Sequence, residues 1–240
     1  MGRKPIEKPD LSEKGAPRDG KPQSSDRRLF MQLLAFAGST DSQPLIDALK
    51  QASVQGALYE DLNAPQGVAV LVLHEQPDFF VTGLRSIVNR DPFSRLAPRP
   101  ILTMFGRTYS IGYEPDLDEV LLHRPRRTAL NKAWPWALWY PLRRSGAFMQ
   151  LPPDEQRAIL AEHGAIGRSF GEADYAHDIR LACHGLDSND NDFVIGLTGK
   201  ELFPLSAIVQ AMRKTRQTSQ YIARLGPFFV GKAVWQSDPE

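Results

Sequence analysis

Leu151–Phe170 reads LPPDEQRAILAEHGAIGRSF, with the boundaries of one long helix. Pro152 and Pro153 suit a first helical turn, where a missing N–H costs nothing, and Asp154 and Glu155 place negative charge at the positive end of the helix dipole. Ile159, His163, Ile166 and Phe170 recur at helical spacing and share one face, while Glu155, Arg157 and Glu162 point elsewhere. His163 therefore faces apolar company. Two readings stay open for it: a core histidine satisfied by a backbone carbonyl, or a metal ligand that donates from one ring nitrogen and offers the other.

Working outward, Trp136–Leu142 before this helix is strand-like, and Ile179–Leu186 and Phe193–Leu197 after it make a hairpin around SNDN. A helix over Leu202–Met212 follows, and Tyr221–Trp235 includes a last strand. The earlier part of the chain has the same order. LFMQLLAFAG from Leu29 is a strand, Pro44–Val54 a helix, GALYEDL and GVAVLVL a hairpin, Pro77–Val88 a helix and ILTMFGRTYSIGY from Ile101 a longer strand. The matching order predicts an α+β fold of two ferredoxin-like halves, 28–115 and 116–240, joined as a dimeric α/β barrel in one chain. Residues 1–27, with Pro5, Pro9, Pro17 and Pro22 among mixed charges and little to bury, read as a disordered tail.

The 240 residues are 42% hydrophobic, enough for one large core or two fused small ones. With 29 basic and 28 acidic residues, no global field favours nucleic acid or an anionic membrane. Cys183 is the only cysteine, which excludes an intrachain disulfide and a multi-cysteine metal site. With no signal peptide and no long apolar run, a soluble cytoplasmic protein is expected. Asp187, Asn189 and Asn191 start like a calcium loop, but Asp192 and Thr198 stand where it needs glycine and glutamate. No phosphate loop, dinucleotide fingerprint, nucleophile elbow or zinc-protease motif occurs. Between the halves, Arg124, Arg126 and Arg127 follow the acidic run DLDEV, as an anion grip or a solvated linker face.

Four motifs in order, YPLRR at Tyr140–Arg144, LPPDEQRAILAEHGAIGR, HGLDSNDNDFVIGL and MRKTRQTSQYIARLGPFFVG, resemble the chlorite dismutase family, which includes the coproheme decarboxylases of haem biosynthesis. The resemblance is specific over Trp136–Gly231 and topological before it. It implies a dimeric α/β barrel, a homopentamer, and haem b or coproheme bound in the second half. By it, His163 is the proximal iron ligand, Arg143 and Arg144 meet the porphyrin carboxylates, and Tyr140 lies near the tyrosine that decarboxylases use as a radical relay. An ordinary aromatic strand residue is the other reading of Tyr140.

Two departures from the family pattern bear on chemistry. Asp178 stands where chlorite dismutases carry an arginine and decarboxylases usually a glutamine. Strand alternation puts Asp178, Arg180, Ala182 and His184 on one face, so Arg180 reaches the same side with Asp178 as an acid–base partner. A surface ion pair is the alternative, and a register slip would bring in His177. On the proximal side, Gln217 is nearest to a family glutamate that hydrogen-bonds the histidine, and a neutral amide would leave the imidazole a weaker donor. The expected function is a haem-dependent oxidoreductase, either a peroxide-dependent coproheme decarboxylase or peroxidase-like. Chlorite dismutase is the runner-up, and a non-catalytic haem-binding or haem-free scaffold protein comes third.

Overall fold

The computed structural model describes residues 8–238. The first expectation it corrects lies at their beginning. β1 (Glu13–Arg18) and β2 (Lys21–Ser25) pair as an antiparallel hairpin within the stretch read as a disordered tail. Asp19 and Gly20 both have positive φ at its turn, a conformation that favours an Asp-Gly pair. Residues 1–7 of that tail lie outside the described residues.

The chain continues through β3 (Phe30–Ala37), α1 (Gln43–Gln51), β4 (Gly56–Asp61), β5 (Gly67–His74), α2 (Asp78–Val81), α3 (Gly83–Val88), β6 (Ala97–Pro98) and β7 (Met104–Arg107). The expected helix over Pro77–Val88 is broken at Thr82, whose hydroxyl donates to the Asp78 carbonyl at 2.7 Å and competes with the helical ladder. The long strand expected from Ile101 shrinks to β7. Pro100–Leu102 is a 3-10 turn, and beyond Arg107 the Glu114 carboxylate accepts the N–H groups of Ile111, Gly112 and Tyr113, turning the chain into a loop.

A π-helical turn, Glu119–His123, and α4 (Arg124–Ala129) link to the second part. Arg127 is paired with Glu119 at 2.6 Å and Arg126 donates to Gln55 at 2.7 Å, so neither is free to grip an anion. Then follow β8 (Trp136–Arg144), α5 (Gly146–Met149), α6 (Pro153–Glu172), β9 (His177–Ala182), β10 (Phe193–Gly199), α7 (Leu202–Met212), α8 (Arg216–Tyr221), β11 (Ile222–Leu225) and β12 (Phe229–Gln236). No helix among the described residues is long and apolar enough to cross a membrane.

Strand order is β7-β3-β5-β4 in the first part and β12-β8-β10-β9 in the second, the fourth, first, third and second principal strands each time. The pairings run round in a closed ring, because β4 joins β12 from Ala57↔Gln236 to Asp61↔Gly231 and β7 joins β9 through Arg107↔Ala182. Side chains alternate across it. The interior holds Leu33, Tyr59, Leu71, Trp139, Leu181 and Phe229, with Leu121 and Leu122 of the linker packed among them. Outside, α1, α2 and α3 close over the first sheet with Leu45, Leu49, Phe80 and Leu84 buried against Val70 and Val72. The helices of the second part cover Leu138, Tyr140, Leu142 and Leu197.

Candidate functional site

The outer face of the second sheet brings together the residues that the sequence separates. Trp139 fills the ring interior, so Leu138, Tyr140, Leu142 and Arg144 face out. Tyr140 pairs with Ile195 and Ile195 with Arg180, which places Tyr140 and Arg180 in one row across three strands, about 10 Å apart by ordinary strand spacing. Asp178 takes the next row, opposite Leu197 and Leu138. Ile179 and Leu181 occupy the interior, so the register that puts Asp178 and Arg180 outside is fixed. His177 is thereby removed from the site. Its ring stacks on Trp134 at 3.5 Å and its Nε2 meets Asp174 at 2.8 Å.

α6 lies over this face without closing on it. Of its inward residues only Ile159 is fully buried; His163, Ile166 and Phe170 keep partial exposure, as do Phe193, Ile195 and Phe228 of the same apolar cluster. His163 thus stands among partly exposed apolar side chains of α6. The Nδ1 of His163 is 3.4 Å from the Thr215 hydroxyl oxygen, and that hydroxyl already donates to the Met212 carbonyl at 2.8 Å. With the hydroxyl proton on Met212, the tautomer that matches is the one with its proton on Nδ1 and a lone pair on Nε2. Gln217, expected as the partner here, is buried with its Oε1 unbonded, and Thr215 takes the role. Thr215 caps α8 by accepting from Thr218 N–H, which fixes its hydroxyl beside α6.

Burial pushes the His163 pKa below its ordinary 6.5, and Arg144 and then Arg180 push it the same way against Asp178 and Glu162. These charges are near enough to act on one ring. In the ligand-free protein His163 should titrate below 6.5 by NMR, and Arg144→Ala should move the midpoint up. Because the unfolded chain then binds the proton more readily, this residue makes stability rise with pH through the interval just below 6.5 and adds nothing further above it.

Arg144 has its guanidinium 4.5 Å from the Phe148 ring and 5.1 Å from that of Phe193, with a buried Nε that has no hydrogen-bond partner. It forms no ion pair among the described residues. Arg143, predicted beside it, lies on the opposite pleat and pairs with Asp190 at 2.7 Å, so the structure does not bring it to this face. Arg180 Nε and Asp178 Oδ2 are 3.0 Å apart and both side chains are about half exposed. Tyr109, which the sequence reading passed over as part of a long strand, stands against Phe193 at 5.7 Å. Burial raises its phenol pKa, opposed by Arg180 and Arg144, which marks it as a neighbour of both. An open groove of about 770 Å³ lined by Lys50, Gln55, Lys132, Trp235 and Asp238 contains none of these residues.

The sequence profile of the chlorite dismutase family matches residues 71–234, spanning α6 and every site residue above. The chain belongs to the chlorite dismutase family. Among solved structures it is similar to a haem-binding protein from Thermus thermophilus, at 20% identity and a TM-score of 0.66 over 87% of this chain and 94% of that one. A chlorite dismutase from Candidatus Nitrospira defluvii in complex with imidazole is similar at 13% identity and a TM-score of 0.62, over 88% and 93%. At such identities these likenesses speak for the fold. No protein of curated function matches the sequence.

The residues present fit the iron porphyrin that the chlorite dismutase family implies. His163 offers one neutral nitrogen, and among the described residues no group of three His, Cys, Asp or Glu side chains gathers to hold a bare ion. A metal already held by a macrocycle needs only that single axial nitrogen. The half-buried, unpaired guanidinium of Arg144 suits a peripheral carboxylate, and the partly exposed apolar side chains suit the ring.

Proposed function

We propose that this protein is a haem-dependent oxidoreductase that uses peroxide, acting on coproheme as a decarboxylase or as a peroxidase. The arrangement that supports this reading is His163 on α6, with Nδ1 3.4 Å from the Thr215 hydroxyl, beside the outer sheet face that bears Tyr140, Arg144 and Arg180. The ring of strands is read as a dimeric α/β barrel of two ferredoxin-like halves, and the assembly as a cytoplasmic homopentamer. Haem b and coproheme are the two cofactor candidates.

When bound, the iron porphyrin supplies the redox centre at which peroxide is consumed. His163 would hold the iron, and Arg144 would hold a propionate of the ring. Tyr140 is stacked on Phe228 at 4.4 Å, and burial together with the Asp178 charge holds its phenol well above the ordinary tyrosine range. It therefore stays protonated and gives up an electron and a proton together, as a hydrogen-atom relay requires. Asp178 is the carboxylate whose charge Tyr140 senses, from two strands away in the next row. Tyr140→Phe should lower decarboxylation at least about a hundredfold and leave porphyrin affinity unchanged, a split read by product chromatography beside an absorption titration. Equal turnover in both proteins would sink the relay role.

Chlorite dismutation is the second reading, favoured by the outward placement of Arg180 in the Tyr140 row. Oxygen release on adding chlorite, without bleaching of the bound haem, would promote it. The deciding experiment is an absorption titration of the protein with haem b and, separately, iron coproporphyrin III. A sharp Soret band with preference for coproporphyrin supports haem synthesis, and no specific binding of either removes the enzyme reading. Binding without turnover of peroxide or chlorite would leave a haem-carrying or sensing protein.

A further inference from the structure

The hairpin of β1 and β2 is tied to the segment that carries Tyr109. Glu13, whose side chain is 11% exposed, receives Arg107 at 3.0 Å and Arg28 at 3.4 Å on one oxygen. Its other oxygen receives the N–H of Ser110 at 2.9 Å and the Ser110 hydroxyl at 3.1 Å. Lys14 N–H donates to the same hydroxyl at 3.1 Å, and Ala16 N–H to the Glu114 carbonyl at 2.9 Å. Gln23 reaches the carbonyls of Glu114 and Pro115 from the second strand. Gly15 passes so close that a Cβ there would lie 2.8 Å from the Glu114 carbonyl oxygen. Thr108, Tyr109, Ile111 and Glu114 of the segment so held enclose a small cavity of about 30 Å³ with Asp178 and Arg180.

We propose that Glu13 is a positioning residue: through it the N-terminal hairpin latches residues 107–114, and Tyr109 with them, against the Arg180 side of the site. The two strands bury little apolar surface, so polar contacts hold the latch, and the segment's only regular strand, β7, ends at Arg107. A largely buried carboxylate satisfied by two guanidiniums and a backbone N–H costs most when one member is removed. The inference rests on placing the site on this face, and its test is made first on the ligand-free chain.

Glu13→Gln keeps the shape and removes the charge. Amide exchange across 107–117 should accelerate about tenfold while α6 and β8 are unchanged. Tyr109, only partly exposed in the parent, should be nitrated faster by tetranitromethane, with exposed Tyr175 outside the segment reacting equally in both proteins as the internal reference. In haem-loaded protein, cyanide should bind several-fold faster in the variant. Should Glu13→Gln fail to fold, Gln23→Ala, which loses only the carbonyl contacts, serves in its place. Faster exchange confined to residues 13–25, with Tyr109 nitrated at the parental rate, would overturn the latch. Failure of haem to bind would strike the functional reading alone, because exchange and nitration need no cofactor.

Discussion

Alanine in place of His163 should abolish the specific Soret band and weaken porphyrin binding at least about a hundredfold, while the far-ultraviolet spectrum stays that of the parent. The fold should survive because the side chain is only half-buried and alanine is the best helix former. Affinity should fall because alanine leaves α6 without the imidazole that would hold the iron. The Thr215 hydroxyl, having lost its donor, still bonds to Met212 and Thr218, so no buried charge is stranded. Added imidazole should restore the band by occupying the vacated volume, which separates loss of a ligand from loss of the site. A variant that binds haem with parental affinity and spectrum would remove His163 from the iron.

The largest effect on stability is expected at Trp139. It is 1% exposed at the centre of the ring, its neighbour across the sheet is Gly196, and a Cβ on that glycine would come within 2.6 Å of the indole. Glycine there has made room for tryptophan, so nothing nearby can expand into the gap. Trp139→Ala should cost about 3–5 kcal/mol, near the upper range for large-to-small core changes because the rigid sheet on every side cannot collapse. For a chain of this size that lowers the melting temperature by roughly 10 °C. Chemical denaturation with an unchanged m-value would attribute the loss to the folded state.

The α6 sequence disclosed its own length, its inward face and its histidine, because those depend on a 3.6-residue period and end signals inside one segment. The mixed α+β class was readable from the order of elements, and GVAVLVL and the β8 run are near-continuous apolar stretches that require cover on both sides. Arg143 was misjudged against Arg144 for a reason of parity. Both look equal in the string YPLRR, and only the buried position of Trp139 tells which one faces outward. Gln217 attracted attention by resemblance, yet a cap hydroxyl at Thr215 sits beside the imidazole, and a cap is positioned by the entry angle of α8, which no local pattern encodes. The hairpin was hidden for the opposite cause. Its composition argued disorder, while the Asp19-Gly20 turn and the long-range polar partners of Glu13 and Gln23 argued structure.

The two seams that close the ring are unequal. One runs the length of β4 and β12; the other is the lone pairing of Arg107 with Ala182. A hoop with one firm weld and one spot weld is not uniformly stiff. Strain or thermal motion applied anywhere along it concentrates at the spot weld, and the cylinder yields there as a cuff opens at its clasp. That clasp lies at the end of β9, beside the row that carries Arg180 and two residues from Tyr109, so the most compliant corner of the ring is the one where these two side chains stand.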